Sequence, residues 1–178
     1  MKRIISFVLI CLLMLGLCAC GTGPTLVGTT PADNNAASNA PTSAADKTFK
    51  LGDSVELKDV VVTFVSIAES TGSQFNTPAE GNVYLLCEFE IANNSKEEIN
   101  VSSMLSFTGY CDDYACDYSL GALMEKGDKN QLDGSVAVGK KMKGVIGFEV
   151  PTDWAKLEIQ YSPDLFSNDK IVFVATHN

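Results

Sequence analysis

The run Val83-Tyr84-Leu85-Leu86-Cys87-Glu88-Phe89 sets Val83, Leu85, Cys87 and Phe89 on one alternating face. A two-residue period of this kind is the signature of a β-strand with one side in a core. It continues to Ile91 and stops at Asn93-Asn94-Ser95-Lys96, a turn signal. Similar short segments recur at Phe49–Leu51, Val55–Leu57, Val60–Ile67, Ile99–Tyr110, Gly134–Val138, Gly144–Val150 and Ile171–Ala175. Leu157, Ile159 and Tyr161 alternate with Lys156, Glu158 and Gln160, which predicts a strand with one wet face. Eight or nine strands without a sustained helical period predict an all-β antiparallel sandwich. One helical turn, Leu120 to Lys126, is the exception.

The first 46 residues follow another logic. Lys2 and Arg3 precede an almost unbroken apolar run from Ile4 to Leu17, and Leu17-Cys18-Ala19-Cys20 follows. A basic start, an apolar stretch and a small-residue cleavage site form a secretory signal. The run falls short of the roughly 20 apolar residues that span a bilayer. Leu17–Cys20 resembles the bacterial lipobox, whose last cysteine is acylated and becomes the first residue of the mature chain. The resemblance implies a signal over residues 1–19, a lipid on Cys20 and an extracytoplasmic protein anchored to the cell membrane. An ordinary signal cleaved after Ala19 is the alternative. Residues 20–47 then read as the lipidated cysteine and a linker. From Gly21 to about Asp46 the chain is Gly, Thr, Pro, Asn, Ala and Ser without apolar periodicity, which predicts a flexible tether with a reach of roughly 28 Å. The sandwich is expected over residues 48–178.

Loss of residues 1–19 leaves 159 residues with 22 acidic and 11 basic side chains. An acidic surface argues against a nucleic-acid partner, because phosphate binding needs clustered Lys and Arg. Lys140, Lys141 and Lys143 are too few to reverse this and read as the solvated face of a strand or turn. Outside the membrane Cys87, Cys111 and Cys116 remain, an odd number. Cys87 falls on the core face of its strand, where a free thiol behaves as a small hydrophobe. Cys111 and Cys116 bracket Asp112-Asp113-Tyr114-Ala115, a segment suited to a four-residue hairpin loop, and cross-strand neighbours there are candidates for a disulfide.

The segment order, "VYLLCEFEIANNSKEEINVS", the Asp-Asp hairpin with its following tyrosine, "VGKKMKGVIGFEVP" and "KLEIQYSP" together resemble a known group. They are similar to the immunoglobulin-like domains of unknown function in bacterial lipoproteins, related to the telokin-like and immunoprotective extracellular protein fold. The resemblance covers about residues 48–175 and implies an immunoglobulin-like sandwich rather than any activity. Cys111 and Cys116 depart from the pattern, which has a glycine-containing polar turn there. The departure favours a local staple.

Catalysis finds little footing in these residues. The one histidine, His177, stands beside Asn178 and reads as a solvated tail. A Ser-His-Asp or Cys-His arrangement would need that residue as its base. No glycine-rich phosphate loop follows a strand and opens a helix. Asp112, Asp113 and Asp117 cluster, but without the glycine and terminal glutamate of an EF-hand loop. No cofactor or metal ligand set is therefore assigned, and the chain is expected not to be an enzyme. Tyr110, Tyr114 and Tyr118 surround the hairpin, and tyrosine suits interfaces through its apolar body and polar tip. For Tyr118 packing over the sheet end is the preferred reading. Trp154 is expected to plug the turn after Pro151. The expected function is a non-catalytic interaction module with an envelope or extracellular protein partner, contacted through Asp112, Asp113 and Tyr114. The alternative is a carrier of a small ligand or of calcium.

Overall fold

The alternation around Cys87 becomes β5 (Asn82–Asn93), the longest strand among the described residues, in a computed structural model that describes residues 23–29, 47–164 and 168–177. The signal, Cys20 and most of the expected linker lie outside the described residues.

Two five-stranded sheets face each other. The first runs in the order β1 (Thr25–Thr29), β3 (Asp53–Leu57), β4 (Val60–Ser70), β5 and β10 (Lys141–Pro151). The second runs β2 (Thr48–Lys50), β12 (Ile171–Thr176), β11 (Lys156–Tyr161), β7 (Phe107–Cys111) and β8 (Tyr114–Cys116). A small two-stranded sheet pairs β6 (Ile99–Val101) with β9 (Gly134–Val136). The protein is a β-sandwich. Its strand pairs are antiparallel apart from β2 and β12, which run parallel.

The alternating faces meet in one core. Phe64 and Phe89 stack at 4.7 Å between ring centroids, and Phe173 of the opposite sheet meets both edge-on at 5.9 and 5.6 Å. Phe107 bridges from Phe89 to Tyr161, at 5.1 Å to each. Offset and edge-to-face pairs satisfy the ring quadrupoles, so these contacts add to the burial of large apolar surface. Cys87 lies fully buried in the same layer. A second layer covers the outer face of β5 and β10, where α1 (Leu120–Met124) packs over Tyr84 and Gly147. Ser119 caps this helix by accepting a hydrogen bond from the Ala122 amide. Gly147 is a close-approach position, since a Cβ there would stand 2.7 Å from the Ala122 Cβ.

Three expectations are corrected. Thr25–Thr29, assigned to the tether, is strand β1, hydrogen-bonded to β3 from Thr25 opposite Glu56 to Thr29 opposite Asp53. Short, largely exposed and bulged between Leu26 and Gly28, it has the features of an edge strand and no alternating core face. The single strand expected over Ile99–Tyr110 is divided into β6 and β7 by a serine-rich turn. There the Ser106 amide donates to the Ser102 carbonyl at 2.8 Å, and the chain leaves the small sheet for the large one. The four-residue hairpin loop shrinks to two, Asp112 and Asp113, because Cys111 pairs with Tyr114 and Tyr110 with Ala115.

The register also defines two ends. The turns Lys58-Asp59, Asn94–Lys96 and Ala137–Lys140 gather at one end, with the foot of β7 and the start of β12. The salt bridge from Lys58 to Asp169, 2.8 Å, ties the two sheets there. Buried Asn93 shapes this end by donating to the carbonyls of Glu97 and Val136, both at 2.8 Å. The Asp112-Asp113 turn, Trp154 and the loop before β5 occupy the opposite end.

Candidate functional site

β8 and β10 are edges of different sheets, and a cleft of about 800 Å³ opens between them at the Asp112 end. Tyr114, Asp117, Leu120, Glu149, Cys111 and Cys116 are among the residues that line it. The site exists because the chain after β8 crosses to the other sheet, where Tyr118 bridges to Phe148 and the Ser119 amide donates to the Gly147 carbonyl.

The hairpin turn sets the upper wall. Asp112 and Asp113 have φ of 48° and 71°, the paired left-handed geometry of a two-residue hairpin, which aspartate tolerates better than most residues. The two aspartates do different things. The Asp112 carboxylate accepts hydrogen bonds from the amides of Ala155, at 3.1 Å, and Lys156, at 2.8 Å, and these hold it below its ordinary pKa. Asp112 is thus a brace between the hairpin and the turn before β11. Asp113 is exposed and pairs with the Lys156 ammonium, raising the lysine's pKa. Tyr114 is left free at the lip, 80% exposed, and Leu120 across the cleft is 68% exposed. Of the three residues expected to form the interaction loop, Asp112 is held by the Ala155 and Lys156 amides and Asp113 by Lys156, which leaves the exposed Tyr114 ring as the one not already engaged.

All three thiols are free. The register explains why the expected staple is not formed: Cys111 faces Tyr114, while Cys116 faces Gly109. The two cysteines are diagonal neighbours on one face, a relation of about 7–8 Å between Cα atoms, beyond easy disulfide reach. Gly109 leaves room for Cys116 and Phe148, whose atoms would lie 2.8 and 2.6 Å from a Cβ at that position. Burial, then the neighbouring Cys111, pushes the Cys116 thiol up to about 12; burial, then Asp112, pushes Cys111 up to about 11. Burial drives Cys87 further upward.

Asp112 and Asp113 turn to separate partners and do not converge with Asp117. Among the described residues no three histidine, cysteine or acidic side chains form a metal-ligand group. Tyr118 is half-buried, its hydroxyl bonded to Gln131 at 2.8 Å and Ser103 at 3.1 Å, which agrees with a packing role.

His177 is not a solvated tail. Its ring stacks on Trp154 at 4.8 Å and 8°, its Nδ1 meets the Trp154 carbonyl at 2.9 Å, and its Nε2 lies 3.2 Å from Glu69. Trp154 is buried in the turn after Pro151, as expected, and its Nε1 donates to Glu69 at 2.8 Å. Leu120 and Glu149 were not anticipated as cleft residues. The spacing of exposed Leu120 and Met124, four apart on one turn of helix, is the sequence signal that could have indicated an outward apolar face.

Comparison with known proteins adds a family and a fold. The family model described as a domain of unknown function, DUF4352, matches residues 49–171. No curated protein matches the chain in sequence. The fold is similar to that of ycdA, a candidate lipoprotein of Bacillus subtilis, with a TM-score of 0.57, 17% identity, and coverage of 67% of this chain and 37% of that one. It is similar to the yjhA protein of Bacillus subtilis, with a TM-score of 0.57, 16% identity, and coverage of 71% and 98%. The secreted protein MPT63 of Mycobacterium tuberculosis gives a TM-score of 0.53, 14% identity, and coverage of 76% and 100%. The chain thus spans little more than a third of ycdA, and at these identities the likeness is one of fold.

Proposed function

This chain belongs to the DUF4352 family, and we propose that it is an extracytoplasmic lipoprotein, anchored through Cys20, whose sandwich is a non-catalytic, immunoglobulin-like interaction module. The lipobox-like Leu17–Cys20 supports the address. The likeness to a candidate lipoprotein and to a secreted protein agrees with it. The observation that carries the interaction reading is Tyr114, 80% exposed at the lip of the cleft and facing exposed Leu120. A large aromatic held out by a rigid two-residue turn loses little freedom on binding, and tyrosine is favoured at the centre of interfaces.

The non-catalytic part of the reading has its own support. The thiols have raised pKa values, which keeps the nucleophilic thiolate scarce. Both ring nitrogens of His177 are engaged by Trp154 and Glu69. A photo-crosslinking residue at position 114 of the full-length protein, expressed in its bacterial envelope, tests the module. A discrete protein adduct from position 114, missing from a control at exposed Lys50, supports it. Absence of an adduct at 114, or the same adducts from both positions, overturns it.

The volume of the cleft favours a second reading, a small-ligand carrier, since sites for small molecules run from about 300 to 1,000 Å³. Thermal shift against calcium and a metabolite panel separates the two; stabilisation of several degrees by one ligand favours the carrier.

A further inference from the structure

We propose that the sandwich stands on the membrane in one orientation, with the Lys58 end against the lipid surface and the cleft directed away from it. The proposal rests on the lipid-anchor reading of Cys20 and adds the face that meets the bilayer.

β1 is the reason. The strand begins at Thr25, five residues after Cys20, and its register places that first residue opposite Glu56, beside the Lys58-Asp59 turn. Five residues span at most about 17 Å when fully extended. β4, which runs from the Lys58 end toward the opposite end, has 11 residues, a length of roughly 36 Å. The link is about half the height of the domain. It is too short to let the sandwich invert and bring the cleft to the lipid. A tether of 26 residues would have allowed that, and strand β1 removes the allowance.

The surfaces of the two ends agree with this orientation. Lys47, Lys58, Lys96, Lys140, Lys141 and Lys170 are exposed at the Lys58 end. Glu56, Asp59, Glu90, Glu97, Glu98, Asp164 and Asp169 accompany them, so that end is close to neutral. Asp112, Asp113, Asp117, Glu125, Glu149 and Asp153 stand near the cleft, against Lys126 and Lys156. Anionic lipid repels the acidic end and tolerates the other, and the effect is concentrated within about 8–10 Å of the surface. Val138, 51% exposed in the Ala137–Lys140 turn, and Met104 and Leu105, 64% and 63% exposed at the foot of β7, give the same end apolar side chains that suit the interface.

The mature lipidated protein in phosphatidylglycerol–phosphatidylethanolamine vesicles tests the proposal. Val138→Cys and Tyr114→Cys variants carry an environment-sensitive dye, with the unsubstituted protein labelled in parallel for background from its own thiols. A spin-labelled headgroup lipid serves as quencher. Quenching at position 138 is expected to exceed that at 114 several-fold, and a Gly-Ser segment longer than the domain's height, inserted between Thr22 and Gly23, is expected to lower the ratio. Equal quenching at both positions, stronger quenching at 114, or a ratio unchanged by the insertion overturns the orientation. Flotation and the acyl mass on Cys20, read on the same preparation, report the anchor separately. Protein that floats with equal quenching loses only the orientation; protein without lipid that does not float loses both readings.

Discussion

Asp112 and Lys156 bond to each other twice through the main chain of Lys156: the Asp112 amide donates to the Lys156 carbonyl at 2.9 Å, and the Lys156 amide donates to the Asp112 carboxylate at 2.8 Å. The pair joins the tip of the hairpin to the start of β11, so one wall of the cleft is fixed by a side chain that also forms the turn. A residue that looks like a loop contact is a brace.

That relationship gives a pH dependence with a definite sign. The Asp112 carboxylate is held below its ordinary value of 3.8 by the Ala155 and Lys156 amides. A depressed carboxyl adds stability that is full above 3.8 and is lost as the pH falls through the folded value. Asp112→Asn is therefore expected to lower Tm at pH 7 and to lose part of the gap as pH falls toward 3, where the wild-type carboxylate is also being protonated. Calorimetry of both proteins across that range checks it. An unchanged difference between the two proteins would remove the carboxylate as the cause.

The thiols predict slow chemistry. With Cys111 at about 11 and Cys116 at about 12, thiolate at pH 8 amounts to on the order of a thousandth and a ten-thousandth of each. Cys87 is fully buried. A disulfide-exchange reagent is expected to titrate almost no thiol in the folded protein and three in urea, on a soluble form lacking residues 1–20. Rapid release of one equivalent before unfolding would show that the cleft exposes a reactive sulfur.

Gly147→Val is expected to loosen the cleft from its far side. The β-carbon it introduces stands 2.7 Å from the Ala122 Cβ and 3.0 Å from the Ser119 carbonyl oxygen, before the two methyl groups are counted. Such overpacking typically costs about 1–3 kcal/mol. Urea denaturation would measure the loss, and hydrogen exchange would place it in residues 119–125 rather than in the Phe64–Phe89 layer. Faster exchange throughout the sandwich would contradict the view that α1 is a separate outer layer.

How much of this could be read in the residues depends on what each strand touches. β5 was legible because one face meets the other sheet and Glu88 and Glu90 on the opposite face meet lysines, with bonds of 2.9 and 2.8 Å to Lys129 and Lys141. β1 was hidden, since an edge strand with one paired side and little burial leaves no alternating pattern. Ile99–Tyr110 read as a single strand because its apolar content is continuous, whereas the break is made by serine side chains bonding to nearby amides. The cleft was only half legible. Tyr114 belongs to a recognisable turn, but Leu120 and Glu149 join it through a crossing between sheets. His177 needed the third dimension outright, because its partners Trp154 and Glu69 are distant in sequence.

The parallel pairing of β2 with β12 has a consequence in time. Phe173 of β12 meets Phe49, Phe64 and Phe89, so the last strand supplies the ring that the others pack around. Until it arrives, the earlier strands have a gap at their centre and β2 has no neighbour to pair with. A chain emerging from its amino end would then reach its native packing only once β12 is free, and the long-range pairing makes that step slow.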